Sequence, residues 1–383
     1  MTNSTDAKNA TCNRRGFLQL SAGAIAGIAL MSMPKLSLAA PITVTTTNLH
    51  NCPVDPLTVA NSSEIVRNSY KKIIDLSKSI QNNTLRQKVV GIIENPVPSF
   101  MEQYRSDSRI KDVYQRLLNE NLVDPAKLTW QELFPKCTST SQAPQPFISA
   151  PGSGYGSHHS YPGGLVTHTA TNLLIADAIC TTYTNVYGYS VDRDTVIAGE
   201  ALHDLAKPWV FQWNADGSSF KELPIAGTGS HHVLSIAESI YRGLPADTIV
   251  AQACAHSHPG SAKEEASVVA WIKAGAIIAG KNPLALGLLN NDGTGLPAPH
   301  QQAGYIVHLA DHDFVLSVPA AQKSIATLQK IAKENYGMSE HDLTTLNFNK
   351  FRNYLGAQLS FMRINQAMTD NTIKKLVASV IKK

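Results

Sequence analysis

Histidine and aspartate recur through the middle of the chain in an order suited to binding a metal ion. An adjacent pair, His203 and Asp204, lies in the segment Glu200-Ala-Leu-His-Asp-Leu-Ala-Lys207. Neighbouring residues on a helical turn point about 100° apart and their side chains differ in reach, so both can address a single metal ion. His168 precedes this pair and Asp311 follows it, with further histidines between them. We therefore predict a metal site built around Asp204.

The full candidate set is larger than one catalytic ion can hold while leaving room for water. Imidazole and carboxylate ligands together favour a divalent transition metal (Mn, Fe, Co, Ni or Zn) over Mg. Two ions bridged by Asp204 are therefore the economical interpretation. The predicted metal ligands are His168, His203, Asp204, His231, His256, His258 and Asp311.

The motifs around these residues resemble a known family. Gly163-Gly-Leu-Val-Thr-His168-Thr, Ala201-Leu-His-Asp-Leu-Ala-Lys207 and His308-Leu-Ala-Asp311 are similar to the HD superfamily of metal-dependent phosphohydrolases. The resemblance covers roughly residues 157–318, and the segment 158–164 is similar to its exonuclease and phosphodiesterase branches. It implies an HD-domain-like helical bundle with four basic ligands. These are His168, His203, Asp204 and Asp311.

The same resemblance suggests roles for nearby residues. Lys207 shares a helical face with His203 and Asp204, where its ammonium would hold a phosphate oxygen or the bridging carboxylate. Family members with two metals add histidines after the His-Asp pair. Here His231 is favoured over His232, because a small residue four positions later fits the helix of the family.

Two positions stay open in the sequence. The adjacent histidine pair usual in the family is split by Ser257, so either His256 or His258 can be a ligand. Asp313 is the alternative to Asp311 if the register of the last ligand differs. The sequence therefore leaves both one and two metal ions open.

The predicted function is hydrolysis of a phosphoester, and the resemblance favours a phosphodiester or nucleotide. A metal-activated hydroxide would attack phosphorus while the ions and Lys207 neutralise the phosphoryl oxygens. Asp204 and Lys207 are the predicted catalytic residues. His158, His159 and Lys207 are the predicted substrate contacts, although the two histidines also fit a solvated loop. Oxidation at a di-iron site and a non-catalytic metal- or signal-binding module are the alternatives.

The first 39 residues predict an export signal. Arg14-Arg-Gly-Phe-Leu18 precedes an apolar run from Leu20 to Met33, which is too short for a permanent membrane span. This pattern resembles a twin-arginine signal, and cleavage is expected after Ala39. We therefore expect a periplasmic or otherwise exported bacterial protein that engages the twin-arginine translocation machinery. An uncleaved N-terminal anchor is the alternative.

Composition fits a folded enzyme and gives little sign of a nucleic-acid partner. Of 383 residues, 43% are hydrophobic and 16% charged, which argues against long disorder. The predicted signal carries a net charge of +3, so the formal +4 falls to about +1 without it. Cys180 and Cys254 lie in apolar helical patterns typical of buried thiols, whereas Cys52 and Cys137 lie in loop-like sequence and could pair.

Apolar residues at three- and four-residue intervals predict an all-α fold that positions these groups. An extended arm is expected over residues 41–60, with helices from Asn61, and a long loop over residues 136–163. A small hairpin is expected near residues 209–220. The predicted domains are a signal peptide (1–39), an N-terminal arm and helical subdomain (40–135), an HD-like metal-dependent hydrolase domain (136–320) and C-terminal helices (321–383).

Overall fold

Most of the chain from residue 42 onward is helical, which confirms the all-α class. The computed structural model describes residues 42–137, 139, 141–298 and 301–383, so the predicted signal lies outside the described residues. Thr43–Lys383 form one compact unit. Within the described ranges, no helix has both the length and the apolar character needed to cross a membrane.

The N-terminal helices begin earlier than the sequence predicts. The carboxylate of Asp55 accepts a hydrogen bond from the backbone N–H of Thr58 at 2.8 Å, and Pro56 occupies the first turn. Both features favour a helix start, so the predicted arm over residues 41–60 is wrong from Pro56 onward. The first four helices are α1 (Pro56–Ser62), α2 (Glu64–Lys78), α3 (Asn83–Glu94) and α4 (Asp107–Asn119).

A long loop and seven helices follow. The predicted loop at 136–163 is confirmed, because its described residues contain turns and one short 3-10 helix, Phe147–Ser149. A bridge between Trp213 and Ser219 supports the predicted hairpin. The helices are α5 (Gly164–Tyr187), α6 (Arg193–Leu202), α7 (Lys207–Val210), α8 (Ser230–Tyr241), α9 (Ala246–Ala253), α10 (Ala262–Ile278) and α11 (Gln301–Ala310).

The C-terminal segment packs back onto the start of the described chain. Strand β1 (Thr47–Asn48) pairs in parallel with the last strand, β4 (Ile381–Lys382). A second pair, β2 (Pro224–Ile225) and β3 (Thr228–Gly229), is antiparallel and directly precedes α8. The last helices are α12 (Phe314–Tyr336), α13 (Leu346–Thr369) and α14 (Ile373–Val380).

Helix α5 lies at the centre of the packing, in contact with α2, α6 and α11. One buried apolar cluster extends from Ala60 to Leu296, and a second joins Cys52 to the C-terminal helices. The first cluster includes side chains from both sides of position 135, so the N-terminal helices and the central helices share a core. The predicted division at 40–135, 136–320 and 321–383 stays a prediction.

The four described cysteines are free thiols, so Cys52 and Cys137 do not pair. Cys52 is 5% exposed and packs within the C-terminal apolar cluster, where it behaves as a small hydrophobic residue. Burial raises the pKa of the Cys52 and Cys137 thiols to about 12. Thiols of this kind are unreactive.

Candidate metal centre

Five segments of the chain bring histidine and aspartate side chains to one buried point, here called the His-Asp cluster. Ring nitrogens and carboxylate oxygens in it form overlapping groups whose atoms lie within 4.8 Å of one another. Such groups could hold a metal ion. The six residues of the cluster are His168 (α5), His203 and Asp204 (the turn between α6 and α7), His231 (α8), His256 (after α9) and Asp311 (after α11).

Asp204 lies between two pairs of histidines. Its Oδ2 atom is 3.1 Å from Nε2 of both His168 and His203. Its Oδ1 atom is 3.3 Å from Nε2 of His231 and 3.6 Å from Nε2 of His256. Each oxygen therefore serves a different side of the cluster, an arrangement suited to a carboxylate that bridges two ions.

Asp311 contacts three histidines of the cluster. Its Oδ1 atom is 3.1 Å from Nε2 of His168 and 3.4 Å from Nε2 of His203, and its Oδ2 atom is 3.4 Å from Nε2 of His256. The amide of Asn172 donates a hydrogen bond to Oδ1 at 2.8 Å. Asn172 therefore orients this carboxylate.

Two imidazoles are held with Nε2 directed into the cluster. His203 donates from Nδ1 to the carbonyl oxygen of Glu200 at 2.7 Å. His231 donates from Nδ1 to Oε1 of Glu222 at 2.5 Å, and its backbone N–H donates to the same oxygen at 2.7 Å. A proton held on Nδ1 leaves the Nε2 lone pair free for a metal, which is how such partners tune ligating histidines.

Lys207 connects the cluster to the preceding loop. Its Nζ forms an ion pair with Oδ2 of Asp204 and donates a hydrogen bond to the carbonyl oxygen of Gly152. Its side chain is buried. The helical spacing from Asp204 explains the first contact, as the sequence predicts, whereas the contact with Gly152 depends on how the loop folds back.

The carboxylates of the cluster are held ionised. Burial by itself would raise the pKa of Asp204, but the positive charges of His203 and Lys207 lower it well below its usual range. The pKa of Asp311 is likewise well below its usual range, because His203 and His256 outweigh burial. Burial lowers the pKa of His256 to about 3, whereas the neighbouring carboxylates outweigh burial and raise the pKa values of His168, His203 and His231. Metals bind neutral imidazole and ionised carboxylate, so a metal ion bound here would displace protons from these histidines.

The structure distinguishes the two histidines at the start of α8. His231 faces Asp204, whereas Nδ1 of His232 is 2.5 Å from the hydroxyl of Thr228. The His232 ring stacks on His256, with ring centroids 3.4 Å apart. His232 remains within reach of the cluster, but the geometry favours His231 as the ligand.

The structure brings His256 into the cluster and does not bring His258 there. Nε2 of His258 is 2.7 Å from the carboxylate of Glu264, and its Nδ1 accepts a hydrogen bond from the N–H of Gly260 at 3.0 Å. Both ring nitrogens of His258 are therefore engaged elsewhere. Of the split pair, only His256 approaches Asp204 and Asp311.

His158 and His159 lie beside the cluster on the loop before α5. Nδ1 of His158 is 3.1 Å from Nδ1 of His159, and the His158 ring centroid is 5.1 Å from that of His168. Asp313 belongs to this side too, with Oδ2 3.9 Å from Nε2 of His159. Burial lowers the pKa of His159 to about 4, although Asp313 opposes this. These residues lie next to His168, and His159 and Asp313 also line a cavity of about 570 Å³.

A tight crossing of two backbone segments fixes this loop. His159 has a φ of 50°, a left-handed conformation rare for a residue with a side chain. Its carbonyl oxygen accepts hydrogen bonds from the N–H groups of Gly152 and Tyr161, each at 2.9 Å. A Cβ atom on Gly164 would lie 1.7 Å from the same carbonyl oxygen. Glycine at 164 therefore permits the loop to pass close to the start of α5.

The cluster contains buried polar atoms that lack a hydrogen bond. Oδ1 of Asp204 and Nε2 of His231 are buried and make no hydrogen bond among the described residues, whereas Oδ2 of Asp204 has its ion pair with Lys207. Burial without a partner costs about 1–3 kcal/mol for each such group. Imidazole nitrogen and carboxylate oxygen suit divalent transition metals, so the residues fit a metal ion. The number and identity of the ions stay predictions.

Three supporting residues are absent from the sequence prediction: Asn172, Glu200 and Glu222. Asn172 follows His168 by four residues, so helical spacing could have identified it. Glu200 is fully buried and lies 3.6 Å from Nδ1 of His203, and burial raises its pKa to about 8. Glu222 lies on the loop before α8, where no local spacing rule connects it to His231.

Comparison with known proteins gives one point of reference. The chain is similar to the dihydroneopterin 2',3'-cyclic phosphate phosphodiesterase of Methanocaldococcus jannaschii, with 26% identity over 186 residues. The similar region is 49% of this chain and spans 59% of the relative. No family model matches the chain, and no solved structure matches it. The similarity supports a relationship to phosphohydrolases.

Proposed function

We propose that this protein is a metal-dependent phosphodiesterase of the HD superfamily that hydrolyses a small phosphodiester. The observation that carries the proposal is the position of Asp204. Its Oδ2 atom faces His168 and His203, whereas its Oδ1 atom faces His231 and His256. A carboxylate shared between two sets of imidazoles favours a site for two ions over a site for one.

Each side of the cluster would supply its own ligands. His168, His203 and Asp311 would hold one ion, His231 and His256 the other, with Asp204 shared. Divalent ions bound there would lower the pKa of a water for attack on phosphorus and neutralise charge on the phosphoryl oxygens.

Side chains of the protein would orient the metal ligands and contact the substrate phosphate. Lys207 keeps Asp204 ionised and in place, and its ammonium lies where a phosphoryl oxygen would need a positive charge. His158 and His159 lie beside His168, where they would contact the substrate phosphate. Glu222 and Asn172 would hold His231 and Asp311 in the orientation that binding requires.

The similarity to a cyclic-phosphate phosphodiesterase supports the substrate class. That relative acts, by its name, on dihydroneopterin 2',3'-cyclic phosphate. We propose a cyclic or other small phosphodiester for this chain as well. No described part of the chain provides a sequence signature for reading nucleic acid, so a small molecule is the favoured partner.

Export is a separate part of the proposal. The paired residues Arg14 and Arg15, the apolar run after them and the small residue Ala39 support passage through the twin-arginine machinery. That route carries folded proteins, so the metal site would be loaded before export. Fusion of residues 1–45 to a reporter, with Arg14→Lys and Arg15→Lys together as the control, would test this localisation.

The function is tested with the purified protein, its metal content and a panel of phosphodiesters. After loading with Mn, Fe, Ni, Co or Zn, we expect hydrolysis of small cyclic phosphodiesters. Asp204→Asn should lose the metal and at least a hundredfold in turnover while circular dichroism stays unchanged. Undiminished hydrolysis by this variant would contradict the proposed site. Oxygen consumption in place of hydrolysis to the phosphomonoester would favour the di-iron alternative.

A further inference from the structure

A cavity lined by aromatic rings lies beside the His-Asp cluster. It has a volume of about 360 Å³ and lies between the loop before α5 and the segment that leads to β2. Its walls include Tyr155, Ser157, Phe211, Phe220, Lys221 and Glu222. We propose that this cavity, here called the ring cavity, binds a planar heteroaromatic ring of the substrate while its phosphodiester lies at the cluster. The inference rests on the proposed function and specifies its substrate class.

Both walls of the ring cavity are connected to the cluster. Glu222 is hydrogen-bonded to Nδ1 of His231, and the ring centroid of Phe211 is 5.7 Å from that of His231. On the other wall, Ser157 directly precedes His158. A single small molecule could therefore occupy both the ring cavity and the predicted phosphate position.

The aromatic wall is held in a fixed position. The guanidinium of Arg352 lies over the Tyr155 ring at 4.4 Å from its centroid, and the Tyr155 hydroxyl donates to Oδ1 of Asn349 at 2.6 Å. Arg352 is fully buried and donates to both the carbonyl oxygen and the hydroxyl of Ser160, each at 2.8 Å. A ring that is already ordered loses little conformational freedom when a ligand stacks on it.

The chemistry of the cavity suits a heteroaromatic ring better than an aliphatic group. Flat rings stack on Tyr155 and Phe220, and the ammonium of Lys221 and the hydroxyl of Ser157 provide donors for ring nitrogens or carbonyl oxygens. Ligand sites commonly combine apolar walls with a few polar groups in this way, and 360 Å³ is within their usual range.

Two larger cavities in the described part of the chain are less suitable. A cavity of about 570 Å³ touches His159 and Asp313, but most of its lining consists of hydroxyl residues such as Thr171 and aliphatic residues such as Met362. A cavity of about 420 Å³ shares Phe220, Lys221 and Glu222 with the ring cavity, but of the loop before α5 it contains only Lys136, which is distant in sequence from His158. The ring cavity has aromatic walls and is connected to the cluster both through Glu222 and through Ser157, which precedes His158.

The experiment compares substrates with and without a ring. The ring-bearing substrates are adenosine 2',3'-cyclic phosphate and dihydroneopterin 2',3'-cyclic phosphate, which distinguish a purine from a pterin, and glycerol 1,2-cyclic phosphate lacks a ring. Loss of one stacking partner lowers affinity on the order of 5- to 150-fold. We therefore expect Phe220→Leu to lower kcat/KM for a ring-bearing substrate about tenfold and to leave that for the glycerol compound unchanged.

Matched variants and a binding measurement distinguish failure of the ring-cavity proposal from failure of the proposed hydrolytic function. Met362→Ala, in the cavity of about 570 Å³, should behave as the unchanged protein; a selective loss in this variant would overturn the assignment. Calorimetry with adenosine and neopterin, on protein stripped of metal, should show binding of at least one that Phe220→Leu weakens. Equal kcat/KM with and without a ring, or no binding of either compound, would overturn the inference. Absence of hydrolysis with retained ring binding would refute only the proposed function.

Discussion

Replacing Glu222 by glutamine should weaken one metal site and spare the other. The Glu222 carboxylate accepts two hydrogen bonds from His231, from Nδ1 at 2.5 Å and from the backbone N–H at 2.7 Å. Burial opposes its charge, yet the charge of His231 and these hydrogen bonds lower the pKa of Glu222 below its usual value. The carboxylate is therefore ionised at neutral pH and holds the imidazole with Nε2 toward Asp204.

The size of the effect follows from that contact. A hydrogen bond to a charged group contributes about 1.5–3 kcal/mol, which corresponds to roughly 10- to 150-fold in an equilibrium constant. Loss of a residue that orients a metal ligand commonly costs about 10- to 100-fold in metal affinity. We therefore expect the ion on the side of His231 and His256 to bind about 10- to 100-fold more weakly in Glu222→Gln. The ion on the side of His168 should be unaffected.

Calorimetric titration of the metal-free protein with Mn²⁺ measures both affinities. Glu264→Gln is a matched control, because Glu264 pairs with His258 at 2.7 Å outside the His-Asp cluster. That variant should bind metal as the unchanged protein does. Two ions bound by Glu222→Gln with unchanged affinities would refute the role of Glu222, and equal losses from both variants would show a nonspecific effect of charge removal.

Three further predictions concern individual residues. His258→Ala should leave metal stoichiometry unchanged by elemental analysis; loss of an ion would return His258 to the ligand set. Burial raises the pKa of Glu200 in the folded state to about 8, above its usual value of 4.5, so the folded state alone retains a proton between these pH values. Stability of the metal-free protein should therefore fall as pH rises from 5 to 8, on the order of a few kcal/mol, and urea unfolding of Glu200→Gln should lack this part of the decline. Gly164→Ala would place a Cβ atom 1.7 Å from the carbonyl oxygen of His159, so it should lower the unfolding free energy by about 1–3 kcal/mol or more; unchanged urea unfolding would contradict the close crossing.

The all-α class could be predicted from sequence because helix formation is largely local. Apolar spacing and capping residues act within a few positions, and they indicated the helices that the structure contains. The start of α1 was missed because the composition of residues 41–60 outweighed the specific signal of Asp55 and Pro56. That signal is local too, because an N-cap aspartate followed by proline in the first turn is sufficient to predict a helix start.

Partners distant in sequence could not be predicted in the same way. Glu222 precedes His231 by nine residues, and the chain between them forms the β2–β3 turn that brings the carboxylate back to the imidazole. Arg352 lies nearly two hundred residues after Ser160, yet donates two hydrogen bonds to it. Contacts of this kind depend on tertiary packing, which no motif or spacing rule describes.

The helical class and the order of the candidate ligands follow from local sequence, since His168, the His203-Asp204 pair and Asp311 each belong to a short local motif. How the two oxygens of Asp204 divide between two pairs of histidines depends on the packing of distant segments. The tertiary structure also separated His256 from His258, which are two residues apart and indistinguishable by type. Their side chains point to different surroundings after α9 ends, so His256 meets Asp204 and Asp311 while His258 meets Glu264.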